Sequence, residues 1–527
     1  MNLAFTIDNR KCIGCHACTV ACKSEHDIPL GVNRTWVKYV EKGVYPDTRR
    51  LFSVLRCNHC EDAPCIDICP TNALHTLDNG IVDFDTDRCI GCKSCMQACP
   101  YDALYINPET HVAEKCNFCA HRIEAQMAPA CVIVCPVEAI GFGDISDPNA
   151  DITKLIAMEA VTVRKAEKGT KPKVFYINGD SASLDPGSTA KKDEYMWSEQ
   201  SRGVGHFAHY ADQRSSEKDP EDLLVQLALD NKGKHGKEIQ ETLKSGDARR
   251  VYDSPSKGVL WGWEVSAYVW TKAISAGLFM VLALGSLFGW FEISAGLREK
   301  SLWSSMLFLV ITGGLLVKDL DQPKRFLYVL LRPHWTSWLV KGAYFITAFG
   351  AILSLSILNL YFPTGIDSRL FDIIGGLIAF MVAIYTALLF AQAKGRDFWQ
   401  SPIAPAQMGV NSLLAGTALL LMLGSGLGSG IINLAIVLLI INLLFTALEL
   451  FTPHMTDDAK SVADMILKGR YGRQFWITII FSRVVPLLLF MFAPQLLPID
   501  LVALIVLTGI LSTEHIWVRA PQLITLS

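Results

Sequence analysis

The sequence predicts a multi-domain protein in which a small α+β head precedes an all-α membrane domain. The chain has 527 residues, of which 51% are hydrophobic and 19% are charged. All 16 cysteines lie between Cys12 and Cys135, and long apolar segments follow one another from Trp263 onward. This uneven distribution excludes a single soluble globule, a disordered chain and a small disulfide-bonded secreted domain.

The composition divides the chain into three parts. A cysteine-rich domain covers residues 1–145, a polar linker or extension covers 146–256, and the membrane domain covers 257–527. The middle part is rich in Lys, Asp, Gly and Ser and poor in aromatic residues. We therefore expect a solvated connector there, with one helix over 221–231.

The N-terminal segment Met1–Arg10 has no basic region, no apolar region and no twin arginine before Cys12. We therefore expect no export signal and a reducing compartment, in which thiols remain available as metal ligands. Export in complex with a signal-bearing partner stays open as an alternative.

The cysteines form an internal repeat of four runs with four cysteines each. In runs one and three the cysteines are separated by two, two and three residues. In run two the separations are two, four and three residues, and in run four they are two, eleven and three residues. A proline follows the last cysteine of runs two, three and four. The runs are Cys12, Cys15, Cys18 and Cys22; Cys57, Cys60, Cys65 and Cys69; Cys89, Cys92, Cys95 and Cys99; and Cys116, Cys119, Cys131 and Cys135.

This spacing is typical of [4Fe–4S] cluster ligation. Three thiolates of a run wrap one cluster, and the fourth, three residues further on, ligates the neighbouring cluster. Runs therefore work in pairs, and four runs predict two ferredoxin-like modules that hold four [4Fe–4S] clusters. Zinc ribbons use CxxC pairs without the added cysteine and proline, and a disulfide framework would not repeat this spacing four times.

Two segments between the runs predict β-hairpins, which makes the head α+β. Residues 74–85 alternate apolar and polar around Asn79-Gly80, the strongest short hairpin signal. Residues 103–114 repeat the pattern around Asn107-Pro108.

The membrane domain contains eight apolar segments long enough to span a bilayer, which needs about 20 residues per helix. An even number of spans places both ends of this domain on the side of the head. The loops on that side carry twelve Lys and Arg residues, and the opposite loops carry only Arg298, Lys300 and Arg369. Basic loops stay in the cytoplasm, so we expect an inner-membrane protein with a cytoplasmic head. The spans are 263–290, 302–318, 335–361, 371–393, 408–423, 431–450, 475–495 and 499–517.

Ionisable residues within the spans collect in the half nearest the head. Lys272, Lys341 and Arg483 lie early in their spans, and Glu449 and Glu514 lie late in theirs. Such residues are costly at membrane depth and usually functional. Each cation could instead extend to the interface, but for the group we favour a polar pocket.

Residues 8–145 resemble the four-cluster electron-transfer subunit of the molybdopterin oxidoreductase superfamily, which includes dimethyl sulfoxide, polysulfide and nitrate reductases and formate dehydrogenases. The resemblance implies that run one pairs with run four and run two with run three. It thereby implies four ligand sets. Set one is Cys12, Cys15, Cys18 and Cys135; set two is Cys116, Cys119, Cys131 and Cys22; set three is Cys57, Cys60, Cys65 and Cys99; and set four is Cys89, Cys92, Cys95 and Cys69.

The membrane domain resembles the NrfD/polysulfide-reductase membrane anchor. The matching motifs are WEVSAYxxxK from Trp263, KDLDQPKRF from Lys318 and YTALL from Tyr385, although the family commonly has Gly where Ala387 stands. The resemblance is good over 263–450 and weak over the last two spans. It implies a quinone site close to the iron–sulfur head, which by position we expect around Glu264, Tyr268, Asp319, Tyr385 and Glu449.

Together these features predict a fused electron-transfer and membrane-anchor subunit. It would be the non-pterin subunit of an oxidoreductase complex, relaying electrons between a molybdenum or tungsten bis-pterin catalytic subunit and menaquinone or ubiquinone in the lipid bilayer. No haem is expected, because the membrane domain has only His334, His454 and His515, all near span ends. The chain lacks a nicotinamide or flavin fingerprint, and nucleic acid is not an expected partner.

Two alternatives stay open. The membrane domain could be an ion-translocating energy converter, which would need a polar path through the half of the spans away from the head. No ionisable residues provide such a path in the sequence. It could also be a passive anchor without a quinone site.

Overall fold

A computed structural model of the protein describes residues 1–44, 46–189, 248–254, 257–362, 367–424, 429–493 and 495–527. These residues form two compact units. The first unit contains Met1–Ile66, Ala73–Leu260 and Thr525–Ser527, and the second contains Asp67–Asn72 and Trp261–Ile524. The helix predicted over 221–231 lies outside the described residues.

The first unit is built on two larger sheets. One has the order β8-β1-β10-β9, in which β1 pairs parallel with β10 and antiparallel with β8. The other has the antiparallel order β11-β2-β3. Strand β1 is central because all six of its residues, LAFTID, are buried. The strands of these sheets are β1 Leu3–Asp8, β2 Thr35–Val44, β3 Asp47–Arg56, β8 Ile140–Asp144, β9 Val161–Thr162, β10 Val174–Ile177 and β11 Arg249–Tyr252.

Both predicted hairpins are confirmed as two-stranded sheets. Strand β4 (Leu74–Thr76) pairs antiparallel with β5 (Val82–Phe84), and β6 (Leu104–Ile106) pairs antiparallel with β7 (Ala113–Lys115). Short helices connect these elements and carry several of the cysteines. They are Ala17–Glu25, Pro64–Asp67, Ser94–Ala98, Ala120–Glu124, Ala130–Ile133, Asp151–Met158 and Ser181–Leu184, with 3₁₀ turns at Ala166–Lys168 and Pro186–Ser188.

The segment that composition predicts as a connector is folded in its described parts. Strand β10 pairs with β1 at the centre of the first sheet, and β11 extends the second sheet beside β2. Val174, Tyr176 and Ile177 are at most 1% exposed. A short apolar strand such as VFYI is lost in the polar average of the surrounding residues, which is why composition misses it.

A buried ion pair stabilises the first unit near its second hairpin. Arg34 Nη2 lies 2.9 Å from Glu114 Oε2, and both side chains are less than a tenth exposed. Burial acts to raise the pKa of Glu114, but hydrogen bonds from Tyr105, Arg34 and Asn107 outweigh it and hold the pKa below its ordinary value.

The second unit contains all eight predicted spans, and the residues that the structure describes add no ninth. The observed ends of the spans differ from the predicted ends by up to seven residues. The largest difference is at span two, which begins at Ala295 and not at 302. The spans are Trp263–Phe288, Ala295–Lys318, Trp338–Tyr361, Ser368–Gln392, Ala404–Leu423, Ser429–Phe451, Gly472–Phe492 and Ile499–Leu523. Shorter helices lie at Pro323–Arg325, Tyr328–Leu331, Asp397–Gln400 and Asp457–Leu467.

Span one is the central helix of the second unit, with 78% of its apolar window buried. Gly277 of span one faces Gly416 of span five, and a Cβ on either glycine would overlap the other helix's backbone. Such small residues let transmembrane helices approach closely, because packing rather than hydrophobic burial drives their association.

Span seven changes its helical form in the middle. It is α-helical over Gly472–Ile479, forms a π-turn over Ile480–Val484, and resumes as an α-helix over Val485–Phe492. Pro486 opens the second α-helix. The π-turn carries the buried Arg483, and such turns are frequent at functional sites.

Candidate functional site

The two-residue gaps in runs one and three are made by tight turns with left-handed backbone. Gly14 and Gly91 have φ values of 72° and 69°, and the residues after the second cysteines, His16 and Lys93, are also left-handed. A side chain at position 14 would meet the Phe52 ring at 2.5 Å. Glycine is required there because the chain turns back on itself between two cysteines.

A helix separates the third and fourth cysteines of run one by one turn. Cys18 and Cys22 both lie in the helix Ala17–Glu25, and the fourth position of a run is therefore displaced along the helix axis. Cys18 is under the electrostatic influence of Cys131 and Cys12, and Cys22 is under that of Cys116, Cys131 and Cys119. Cys131 of run four is therefore a neighbour of both positions.

Cysteines of three predicted ligand sets are neighbours in the first unit. All four cysteines of set one line one small cavity. In set two, Cys22 interacts with the three cysteines of run four. In set three, Cys65 interacts with the other three members, which are Cys57, Cys60 and Cys99. The assignment of the sixteen cysteines to four ligand sets stays a prediction.

Cys69, the run-two cysteine of set four, belongs to a short segment of the second unit. The main-chain carbonyls of residues 67–70 all accept hydrogen bonds from His334–Ser337, which we call the cradle. Because a carbonyl only accepts, His334 Nδ1 must carry a proton. The bonds are Thr336 Oγ1 to Asp67 O at 2.9 Å, Ser337 Oγ to Ile68 O at 2.8 Å, His334 Nδ1 to Cys69 O at 2.8 Å and His334 N to Pro70 O at 3.1 Å.

The state of the thiols fits a resident iron–sulfur group. All sixteen cysteines are free and most are buried. Burial raises the pKa of Cys18 to about 11 and that of Cys60 and Cys119 to about 12, so bare thiols would stay protonated. Iron replaces those protons and balances the crowded thiolate charge.

Besides main-chain N–H groups, side-chain nitrogens of two residues approach cysteine sulfurs in the first unit. Arg56 Nη1 donates to Cys131 Sγ at 3.2 Å, and His26 Nε2 lies 3.2 Å from Cys119 Sγ. Burial lowers the pKa of His26 to about 4, so the ring is neutral at pH 7. Both contacts fall on set two. Hydrogen bonds to ligand sulfurs are one of the means by which proteins tune cluster potentials.

The second unit has a buried polar group near the N-terminal end of span one and the C-terminal end of span four. Lys272 Nζ donates to Thr386 Oγ1 at 2.6 Å and to Ala383 O at 3.1 Å, and it lies 4.5 Å from the centre of the Tyr385 ring. Tyr268 and Tyr385 both neighbour Thr386. Lys272 is 1% exposed, so it does not extend to the interface.

The five residues expected around a quinone are only partly brought together. Tyr268 and Tyr385 share Thr386, and Asp319 lies within electrostatic range of Tyr268. Glu264 is partly exposed and lies 3.7 Å from Lys318. The carboxylate of Glu449 instead accepts a hydrogen bond from Ser401 at 2.6 Å.

A second buried network crosses spans five to eight. Asn411 Nδ2 donates to Glu514 Oε1 at 2.7 Å, Asn442 Nδ2 donates to Asn411 Oδ1 at 2.5 Å, and Arg483 Nε donates to Asn442 Oδ1 at 2.8 Å. All four side chains are at most 5% exposed. Glu514 also attracts Lys272, so the network is electrostatically linked to the tyrosine group.

A line of buried hydroxyls runs along the contact of spans one and two. Thr271 and Thr312 are joined at 2.8 Å, and Ser275 and Ser305 donate to each other's carbonyls at 2.7 and 2.8 Å. Near the N-terminal ends of spans two and four, Arg298 Nη2 lies 2.5 Å from the buried Asp372 Oδ1. The contact of spans one and two is therefore polar from Thr271 to Ser275 and from Ser305 to Thr312.

Protein-family models match both the cysteine-rich part and the membrane part of the chain. Models of the 4Fe-4S dicluster domain match residues 11–74 and 48–145, and the model described as "Polysulphide reductase, NrfD" matches residues 253–524, more than half of the chain. The chain belongs to the polysulphide reductase NrfD family. This NrfD-family chain is an integral membrane protein in which an iron–sulfur electron-transfer head is fused to an NrfD membrane anchor.

Similar curated proteins match about a third of the NrfD-family chain, and that match covers most of their own length. One tetrathionate reductase subunit of Salmonella typhimurium is 45% identical over 188 residues, which are 35% of this chain and 75% of that protein. One polysulfide reductase chain of Wolinella succinogenes is 44% identical over 183 residues, which are 34% of this chain and 95% of that protein. Both relatives are therefore named as parts of reductases.

Sequence reasoning missed several polar residues of this NrfD-family chain. Arg56 immediately precedes Cys57, so a search for cations next to cysteine runs would have found it. Thr386, Asn411 and Asn442 are uncharged, and a search restricted to ionisable residues passes over them. An asparagine in the middle of an apolar span is the signal that would have found the second network, since interhelical amides bond across helices.

Proposed function

We propose that this NrfD-family chain relays electrons between a molybdenum or tungsten bis-pterin catalytic subunit and the membrane quinone pool. Menaquinone or ubiquinone is the substrate of the membrane domain. The observation that carries the proposal is the buried group of Tyr268, Lys272, Tyr385 and Thr386, in the same chain as an iron–sulfur head. The reductase subunits to which the head is similar support the catalytic partner.

The cofactor complement that we propose is four [4Fe–4S] clusters, one for each ligand set. Sixteen cysteines supply four ligands to each cluster without remainder. When bound, each cluster would accept and donate one electron at a time. The protein holds the thiolates in a dry environment, since most of them are buried. It supplies an N–H donor from Arg56 and places the His26 ring beside Cys119.

The side chains of the membrane domain would handle the protons of quinone chemistry. Two electrons must be matched by two protons, which favours hydroxyl and carboxyl groups beside the quinone oxygens. Tyr268 and Tyr385 offer hydroxyl donors, and Asp319 offers a carboxylate that can pass protons from the head-side surface. Lys272 is fixed by Thr386 and the Ala383 carbonyl, so its charge stabilises negative charge that develops nearby.

The cradle fixes the segment that contains Cys69. Its four hydrogen bonds hold the carbonyls of residues 67–70 within the second unit, so this proposed ligand of set four is held in place by residues 334–337. The excess of basic residues on the head-side loops supports a cytoplasmic head in the inner membrane.

Photolabelling with an azidoquinone tests the pocket. We expect label on the peptides that contain Tyr268 and Tyr385, with competition by unlabelled menaquinone or ubiquinone. Tyr268→Phe and Tyr385→Phe should each reduce that labelling at least fivefold. Tyr361→Phe should not reduce it, because Tyr361 is an exposed residue at the C-terminal end of span three. Label confined to the Glu449 peptide would contradict this pocket, and no competable label at all would favour a passive anchor.

Ion translocation is a second candidate, and the line of hydroxyls favours it. Thr271 and Ser275 lie one turn apart on span one, and the ion pair of Arg298 with Asp372 lies about two turns beyond Ser305 on span two. Reconstituted into liposomes with its catalytic partner, an ion pump would move more protons than the quinone itself takes up. Ser275→Ala and Thr312→Val would then lower that excess without lowering electron transfer. A stoichiometry equal to that of quinone chemistry would contradict this candidate.

A further inference from the structure

A buried arginine lies between two of the cysteine sets. Arg56 is the last residue of β3, is 0% exposed, and packs its guanidinium carbon 4.4 Å from the centre of the Phe5 ring. Its Nη1 donates to Cys131 of set two at 3.2 Å. The cysteines that interact most strongly with its charge are Cys131 and Cys116 of set two and Cys18 of set one.

The guanidinium has no carboxylate partner among the residues that the structure describes. Nε and Nη2 are buried there without a hydrogen-bond acceptor. Arg34, another buried arginine of the same unit, has Glu114 at 2.9 Å. An unpaired buried cation costs several kcal/mol, so Arg56 requires negative charge from another source. Thiolates bound to iron provide that charge on two sides of the guanidinium, and the two free nitrogens are donors left for the bound groups.

We propose that Arg56 is a potential-tuning residue that raises the reduction potentials of the clusters in sets one and two. This inference rests on the proposed cluster complement. A cluster gains one negative charge when it is reduced, and a fixed cation nearby stabilises the reduced form more than the oxidised form. Because the site is dry, this attraction is weakly screened. The hydrogen bond to Cys131 adds to the effect on set two alone, since donors to ligand sulfurs also favour the reduced form.

In this arrangement a single residue, Arg56, affects the reduction potentials of two clusters, those of sets one and two. With Arg56 present, both clusters accept electrons more readily, and their potentials move together rather than apart. Electrons can then pass between sets one and two without a large step in energy. The fully buried Phe5 ring keeps the guanidinium in place and excludes water that would screen its charge.

Redox titration of the full-length membrane protein, followed by EPR, tests this inference. Arg56→Gln removes the charge, and we expect the oxidised-to-reduced ratio of clusters one and two to rise at least tenfold at fixed potential, a fall of about 59 mV in each midpoint. The midpoints of clusters three and four should not change. Cys15→Ser and Cys119→Ser identify which signals belong to sets one and two.

Arg164→Gln is the matched control. Arg164 is also a buried arginine of the first unit, 2% exposed and 5.9 Å from the centre of the Tyr101 ring, but its nitrogens donate to the Leu184 and Leu526 carbonyls. It should destabilise the fold without moving any midpoint. If Arg56→Gln loses its clusters, Arg56→Lys carries the test. Lysine keeps the positive charge but loses the guanidinium hydrogen bond to Cys131, so only the midpoint potential of cluster two should fall.

The outcomes separate this inference from the proposed function. Fewer than four clusters in the wild-type protein, counted from iron and sulfide content, would contradict the proposed complement. Four clusters in the wild type, with unchanged midpoints for sets one and two in Arg56→Gln, would overturn the role of Arg56 and leave the proposed function standing. Equal shifts of all four clusters, or shifts in Arg164→Gln of the same size, would also overturn it.

Discussion

Replacing Asn442 by leucine tests whether the second network of the membrane unit stabilises it. Asn442 lies on span six, is 2% exposed, donates to Asn411 Oδ1 at 2.5 Å and accepts from Arg483 Nε at 2.8 Å. Leucine has a similar volume, so Asn442→Leu removes two hydrogen bonds with little change in packing. The substitution leaves Asn411 without one donor and the buried Arg483 without one acceptor.

The loss at Arg483 should dominate the free energy of unfolding. A neutral interhelical hydrogen bond in a membrane protein contributes about 0.6 kcal/mol on average. A buried donor left without an acceptor costs about 1–3 kcal/mol, and a charged donor costs more. We therefore expect Asn442→Leu to lower the stability of the membrane unit by about 3 kcal/mol. For a unit of this size that corresponds to a fall of roughly 6–12 °C in unfolding temperature.

Calorimetry of the protein in detergent micelles measures this effect, and cluster absorbance reports on the head separately. Asn433→Leu is the matched control, because Asn433 lies on the same helix but is exposed. It should change the unfolding temperature by less than about 2 °C, as expected for a surface substitution. The double variant Asn442→Leu/Arg483→Leu should be more stable than Asn442→Leu alone, since it removes both partners. A wild-type unfolding temperature for Asn442→Leu, or an equal loss in Asn433→Leu, would refute the reasoning.

Three further predictions concern the head, the orientation and the cradle. Glu114→Gln should destabilise the head at pH 7, and its difference from the wild type should shrink as the pH falls below about 4.5, because the lowered pKa of Glu114 contributes stability only while the carboxyl is ionised; an undiminished difference in acid would contradict this. In whole cells, an impermeant maleimide should label Arg369→Cys but not Lys460→Cys, both exposed positions, and the reverse pattern would invert the proposed orientation. His334→Ala should speed hydrogen exchange in residues 67–72 several-fold, and an unchanged rate would mean that the cradle does not hold this segment.

Local patterns are what the sequence predicts well in this protein. The cysteine runs are readable because cluster ligation fixes spacings of two and three residues, and the Asn79-Gly80 turn is readable because its dipeptide is diagnostic. The eight spans follow from length and apolarity, and all eight are present among the described residues. None of these features depends on which distant residues meet.

Non-local contacts are what the sequence does not reveal. The pairing of β10 with β1 joins residues about 170 apart, and nothing in the strand VFYI specifies that partner. The depth of Lys272 and Arg483 could not be predicted, because a cation early in a span can reach the interface or bond inward. Here both bond inward, to Thr386 and to Asn442. The contact of Arg56 with Cys131 is likewise a product of folding.

Electron exchange between quinol and the clusters of this chain tests the central claim most directly. The purified chain, in lipid nanodiscs and without a catalytic partner, is mixed with menaquinol or ubiquinol, and cluster reduction is followed by EPR. We expect quinol to reduce clusters in the wild type. In Tyr268→Phe/Asp319→Asn, which should keep its full iron content, the rate should fall at least tenfold. Clusters that chemical reductants reduce but that no quinol reduces, or an undiminished rate in the double variant, would contradict the account.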